Sequence, residues 1–431
     1  MRGAKALAIA LALMLLSPAL ALAGAAKKTI TLWYPAGDMT AGAAHFADKT
    51  LFAGFEQKTG IKVEAVALDY DTMIQKIFAA AAGKNIADIL FIDDSWIPGF
   101  LKEDMLEPVA DAKAKAWLAA VSPEIRELSD YGKGRMWGYL QYGIDVYGLT
   151  WNKDQFREVG LDPEKPPKTW AEFREYAKKL TKRDAQGNIT RVGYAIRHVG
   201  HPHGIVHKHF WAIYGAGAAL VDDHRALRGG KTLINTPGGK AALQLVLDML
   251  DVDKSTSLNF PDPRAAFLKG IASMQISETV SIRSRQPKEA PELKWGMALP
   301  PVPKAGDKPA TNLGGWFYAV PRAAKNKAEA WQAIEWINSQ EKDFELCKKY
   351  GASPRYAANW DKEPFKSDPY NQGLKVLYPH GRKLPINLGF NGVMDAVGGA
   401  IQKVWHHEAQ VDAALADAER LANKAIADAA K

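Results

Sequence analysis

Four apolar residues in a row, Ile89 to Ile92, run directly into Asp93, Asp94, Ser95 and Trp96. A surface strand alternates apolar and polar residues, whereas an unbroken apolar run of this length suits a strand covered on both faces. Such strands belong to parallel sheets packed between helices, so the run restricts the chain to an α/β architecture. In open sheets of that kind a ligand sits beyond the carboxyl ends of the strands. The two carboxylates, the hydroxyl and the indole that follow Ile92 stand at that end.

The residues before this run complete the pattern. "ITLWY" (30–34) reads as a strand, the stretch reaching Thr59 as a helix closed by Gly60, and "IKVEAVAL" (61–68) as a second strand. Asp71 is placed to cap the next helix, where Met73, Ile74, Ile77, Phe78 and Ala81 recur at helical spacing before Gly83 stops it. Two extended runs in "MWGYLQYGIDVYGLTWNKDQF" (136–156) then open a second α/β lobe. Thr169 and Glu172 have the spacing of a capping box, with Trp170, Phe173, Ala177 and Leu180 facing inward. From about Lys294, "WGMALPPVP" and "LGGWFYAVP" read as strands again, and a last helix carries Val411, Ala414, Leu415, Ala418, Leu421, Ala422 and Ile426 on one stripe. No internal repeat or low-complexity linker separates the lobes, so ordered crossings must join them.

The first residues set the compartment. Arg2 and Lys5 precede an apolar run from Ala6 to Leu16 that is too short to span a bilayer, and Ala21-Leu22-Ala23 supplies small residues for cleavage. Residues 1–23 are therefore expected to be a signal peptide, and the mature chain an exported, periplasmic one. The single cysteine, Cys347, cannot carry an amino-terminal lipid or close an internal disulfide, so no lipid anchor is expected. The formal charge of +8 is spread along the chain without a block of like charges, which argues against a nucleic-acid partner.

The order of these signals resembles the extracellular solute-binding proteins that serve sugar-importing ABC transporters, the maltose- and trehalose-binding type. The stretches that carry the resemblance are "ITLWYPAGD" (30–38), "FEQKTGIKVEAV" (55–66), "ADILFIDDSWIPGFLKEDMLEPV" (87–109), "DVYGLTWNKDQF" (145–156), "PPKTWAEF" (166–173) and "LGGWFYAVP" (313–321). The resemblance implies a two-lobed periplasmic binding protein fold that bends at a hinge around a ligand cleft. It implies no catalytic activity and no cofactor. Its partners would be a carbohydrate guest and a membrane permease, with the chain a monomer. On this reading residues 28–144 and 294–337 form the first lobe and residues 145–293 and 338–431 the second. The crossings then fall near Gly143 to Gly148, Leu293 to Gly296 and Glu335 to Gln340.

A sugar offers hydroxyls that donate and accept hydrogen bonds and C–H faces that a ring can cover. Carboxylates hold hydroxyl donors strongly, and indoles give wide apolar contact with little entropy to lose. Asp93, Asp94, Ser95 and Trp96 supply both halves of that chemistry, although Asp and Ser are also favoured helix caps. By resemblance, the first-lobe acid falls on Asp38, and Trp33 faces either the core or the cleft. Asp145 falls on the hinge strand beside the ligand with Tyr142 close by; an ordinary strand position is the alternative. Gly315 lets backbone approach closely, and Trp316 resembles a sugar-stacking indole. Trp211 matches a cleft-helix tryptophan or belongs to the core. "ASMQISETV" lacks the family's stacking tryptophan and offers Ser277 and Glu278 instead, so Glu278 would hydrogen-bond the guest. Arg355 either aims at the cleft or is solvated.

"HVGHPHGIVHKHF" gathers His198, His201, His203, His207 and His209. Three readings are open: a polar loop edge, cleft contacts together with Lys208, or metal ligation. No metal-enzyme motif accompanies them, so no metal site is expected. Two rival functions remain: an exported carbohydrate hydrolase, which neighbouring Asp93 and Asp94 match poorly, and an importer of a metal or an acidic or phosphorylated sugar.

Overall fold

A computed structural model describes residues 28–36, 46, 48, 50–260 and 262–431. The expected signal peptide and Asp38 lie outside these described residues. Twelve strands are present among them: β1 (Thr29–Pro35), β2 (Lys62–Leu68), β3 (Ile89–Asp93), β4 (Tyr139–Leu140), β5 (Asp145–Asn152), β6 (Lys182–Arg183), β7 (Ile189–Ala195), β8 (Ala272–Glu278), β9 (Trp295–Ala298), β10 (Thr311–Gly314), β11 (Trp316–Ala319) and β12 (Gly381–Lys383). They form two sheets, one ordered β2-β1-β3-β11-β4 and one ordered β12-β10-β5-β8-β7-β6 with β9 also paired to β5.

The opening apolar run lies where its pattern requires. Every residue of β3 is buried, between parallel β1 and antiparallel β11. Burying each of the large apolar side chains of such a strand contributes about 1.5–3 kcal/mol. Strand β2 at the edge is largely exposed, as a strand with one neighbour can be. The helix Tyr70–Ala82 buries Met73, Ile74 and Ile77, but its cap is Asp69, whose side chain accepts from Thr72 N. Asp71, the expected cap, accepts instead from the backbone N–H of His201 at 3.2 Å, a contact between lobes. The capping box of Thr169 and Glu172 is present at the start of Trp170–Leu180.

Two hydrophobic cores follow the two sheets. The first centres on β1, β3 and β11 with Phe55, Ile77, Phe100 and Ile334. The second holds Leu149, Phe173, Phe210, Met274, Val397 and Leu415 and is closed by the packed helices Phe390–Trp405 and Val411–Ala430.

The sheet pairings shift the boundaries read from the sequence. The chain first crosses between β4 and β5, over residues 141–144. The second crossing is not at Leu293 to Gly296, because β9 and β10 both pair with β5 and keep residues 295–314 with the second sheet. "LGGWFYAVP" looks like one strand but is two, β10 on the second sheet and β11 on the first, with Gly315 between them. The third crossing is not at Glu335 to Gln340 either. The helix Gln340–Tyr350 places Leu346 and Cys347 in the first core, and the chain rejoins the second sheet only at β12.

Candidate functional site

The carboxyl end of β3 meets the second crossing. Asp93 Oδ1 accepts from Ser95 N at 2.9 Å and from Ser95 Oγ at 2.6 Å, so the buried Asp93 caps the short 3-10 turn Asp94–Trp96. Asp94 donates its backbone N–H to Gly315 O at 3.1 Å. Gly314 lies close beside it, since a Cβ there would stand 3.0 Å from Asp94 Oδ2, tighter than most such contacts. The Asp94 carboxyl is driven well above the usual range by burial, then by the charge of Asp93 and a hydrogen bond to it, with Asp145 adding to the effect.

Three rings back this pair. Tyr70 stacks on Trp96 with centroids 5.5 Å apart, Trp316 meets Trp96 edge-on at 5.8 Å, and Tyr70 and Trp316 are 6.0 Å apart. Register explains the grouping, because Trp316 is paired directly with Asp93 across β11 and β3.

The second lobe brings a helix, Pro202–Gly215, with proline in its first turn and His201 as its cap. His203 and His207 are four residues apart and so share one helical face. That face reaches the first lobe: His203 Nδ1 lies 3.1 Å from Ser95 Oγ, and His207 Nε2 lies 3.9 Å from Asp93 Oδ1. Burial lowers the His207 pKa to about 4, against the pull of Asp93, so the ring is neutral near neutral pH.

Beside His207, Tyr147 donates to Glu278 Oε1 at 2.9 Å and Lys208 donates to the same oxygen at 2.8 Å. Arg264 Nη1 stands 3.7 Å from Glu278 Oε2. Burial alone would raise the Glu278 pKa, but Lys208 and Arg264 outweigh it and hold the carboxyl well below the usual range. Burial lowers Lys208 to about 8 despite the attraction of Glu278. Asp145, where β5 leaves the crossing, is pushed well up by burial and by the charges of Glu278 and Asp93. Lys383 on β12 lies 3.8 Å from the Tyr131 ring centroid, and burial brings it down to about 7 although Asp94 resists.

The structure therefore gathers Asp93, Asp94, Ser95, Trp96, Asp145, Glu278, Gly315 and Trp316 of the residues singled out from sequence, with the indoles of Trp96 and Trp316, 0% and 3% exposed, themselves part of the first core. Four others lie elsewhere. Trp211 is 1% exposed, with Trp170, Phe173 and His209 at its edges, and belongs to the second core. Tyr142 is buried in the first core against Tyr350. Trp33 is half-buried on β1 against the same core. Arg355 is neither solvated nor aimed at the acids: its guanidinium binds Asp343 at 2.8 Å and Leu140 O at 2.7 Å and also meets Asn338. An arginine tied to an aspartate, a strand carbonyl and a helix end is a brace for the first lobe.

The sequence reading missed Tyr147 and Arg264, and it held contact of the histidines and Lys208 with the cleft as only one of three readings of that stretch. His203, His207 and His209 lie on a buried helix, His201 caps it and His198 precedes it. Pro202 at a helix start and the four-residue spacing of His203 and His207 are the signals that mark one helical face.

Two lobes joined by three crossings, with polar side chains of both lobes and of the crossings meeting at one buried junction, are the architecture of a two-lobed solute-binding protein. Sequence comparison agrees: over residues 36–343 the chain matches the bacterial extracellular solute-binding proteins, and it belongs to that family. A "Probable ABC transporter-binding protein" of Deinococcus radiodurans is 24% identical over 366 residues, which is 81% of this chain and 83% of that one. Among solved structures, an ABC transporter solute-binding protein of Thermotoga lettingae bound to α-D-tagatose superposes with a TM-score of 0.79 at 24% identity, covering 93% of this chain and all of that one (100%). The maltotriose-binding protein of Thermus thermophilus bound to maltotriose gives a TM-score of 0.76 at 22% identity, covering 92% and 100% of the two chains. The family and the fold are those of transport-binding proteins. Among the described residues, no helix is long and apolar enough to cross a membrane.

Proposed function

We propose that this protein captures a carbohydrate in the periplasm, as a monomer without catalytic activity, and hands it to the permease of an ABC importer. The observation that carries the reading is the juxtaposition of the Asp93–Asp94 pair with the rings of Tyr70, Trp96 and Trp316. Acids take the hydroxyl protons of the guest, and the rings take its C–H faces. Closure of the second lobe adds His203, His207 and Lys208, and a guest with a wrong hydroxyl pattern leaves buried polar groups unpaired at about 1–3 kcal/mol each.

Adjacent acids that share a hydrogen bond are a poor frame for glycoside cleavage, where the two carboxyls flank the scissile bond. A second reading, an acidic or phosphorylated sugar, rests on the two buried cations Lys208 and Arg264, which share Glu278, while Asp262 stands 3.8 Å from Arg264.

A thermal-shift screen of neutral sugars, uronates and sugar phosphates, followed by calorimetry, tests both. Saturable binding of a sugar without release of reducing ends from an oligosaccharide is expected. A panel that gives no stabilisation by any sugar overturns the carbohydrate reading, and binding of neutral sugars alone overturns the acidic one.

A further inference from the structure

Three hydrogen-bond acceptors from the two lobes converge in the cleft. Asp93 and Asp94 come from the end of β3 and His207 from the helix Pro202–Gly215; one ligand atom of each lies within 4.8 Å of the others, and all three residues are buried. The neighbours of His207 fix where its lone pair points. Tyr147 gives its one hydroxyl proton to Glu278, so toward His207 Nδ1, 3.1 Å away, it presents an acceptor. Nδ1 is then the protonated nitrogen, and Nε2 carries the lone pair that faces the acids. Asn312, 3.2 Å from the same Nδ1, agrees when its amide oxygen is turned to the ring; in the opposite setting Oδ1 has no partner among the described residues.

His207 Nε2 lies 3.9 Å from Asp93 Oδ1. Neither Nε2 nor Asp94 Oδ2 has a hydrogen-bond partner among the described residues. Lone pairs of three side chains facing one another out of water are costly unless positive charge lies among them.

We propose that Asp93, Asp94 and His207 form a divalent-metal site that straddles the two lobes. Two carboxylate oxygens and one imidazole nitrogen suit a borderline ion of the zinc, cobalt or manganese class. The chain from His207 Nδ1–H through Tyr147 to Glu278 is the outer layer that orients a histidine ligand and raises its basicity. Because the acids sit on one lobe and the imidazole on the other, the ion is fully held only in the closed arrangement, and its binding therefore favours closure. Three protein ligands leave coordination positions open to guest hydroxyls. The site stands on its own residues and does not depend on the guest being a carbohydrate.

The test uses the untagged chain, stripped with a chelator and free of sugar. Zinc is titrated by calorimetry and cobalt by visible absorption. One ion per chain, a raised melting temperature and a cobalt d–d band are expected. Asp94→Asn and His207→Gln should each weaken binding by about 100-fold, and Tyr147→Phe, which leaves all three ligands in place, by about 10-fold. His407→Gln, which removes an exposed histidine paired with Asp251, should leave binding unchanged. The absence of saturable binding by zinc, cobalt or manganese overturns the proposal, as does binding that survives both Asp94→Asn and His207→Gln. A sugar bound by metal-free protein that takes up no ion overturns the metal site alone, and an ion bound by a protein that takes no sugar overturns the carbohydrate reading alone.

Discussion

Replacing Glu278 by Gln keeps the shape of the side chain and an oxygen for Tyr147, but removes the anion that Lys208 and Arg264 share. Removing one member of a buried ion pair costs ~3–5 kcal/mol, and the retained hydrogen bonds place this change at about 3 kcal/mol near neutral pH. The cost has a pH signature set by Lys208. Burial holds that lysine at about 8 in the native protein, with Glu278 opposing the shift; without Glu278 it falls further. The unfolded lysine titrates near ~10.4, so in both proteins the folded chain binds fewer protons than the unfolded one between its lowered value and that limit, and stability rises with pH across the window.

Above the native value Lys208 is neutral in both folded proteins and contributes equally to each. Below it, only the variant carries the additional penalty, about 1.4 kcal/mol for each unit by which its lysine has dropped. Glu278 itself, held below its unfolded value, contributes stability above roughly pH 4.3 that is lost only as the pH falls through its depressed folded value, so it adds no slope near neutrality. Urea unfolding followed by tryptophan fluorescence should show a larger deficit for Glu278→Gln at about pH 6.5 than at about pH 9. A deficit under about 1 kcal/mol, or one that grows toward alkaline pH, would refute the account of this cluster.

Two further outcomes separate the cleft from the scaffold. Arg355→Met leaves Asp343, which is fully buried, without its counter-charge; a loss of about 3–5 kcal/mol of stability is expected in urea unfolding with guest affinity unchanged, and weakened affinity in a folded variant would return Arg355 to the site. Trp316→Leu keeps an apolar filler beside Trp96 and Phe91 but removes the indole face, so calorimetry should show guest affinity reduced about tenfold or more; undiminished affinity would place the guest away from the ring trio.

The first half of the fold was legible because its signals are local. An unbroken apolar run, a left-handed glycine after Thr59 and a capping box each act within a few residues, and each appears where the sequence put it. The crossings were not legible, because strand partners are long-range. Nothing in "LGGWFYAVP" states that Leu313 pairs with Val146 on β5 while Phe317 pairs with Ile92 on β3. The same limit divided the site. Acids and an indole clustered at one strand end announced themselves, whereas Tyr147, Arg264 and Lys208 converge on Glu278 from separate elements. Trp211, left open between cleft and core by the sequence, is settled by its neighbours: an indole on a helix is bound to its own lobe when Trp170 and Phe173 stand ready to pack it.

The short run from Gly314 to Trp316 carries one crossing between the sheets and also borders the proposed guest site, since Asp94 is bonded to Gly315 and abuts Gly314 while Trp316 supplies a ring. Retuning selectivity there would disturb the swing of the protein as well as its grip. The freer ground for redesign is His203 on the opposing helix, which meets Ser95 and not that run, whereas Lys208 on the same helix is held in the buried pair with Glu278.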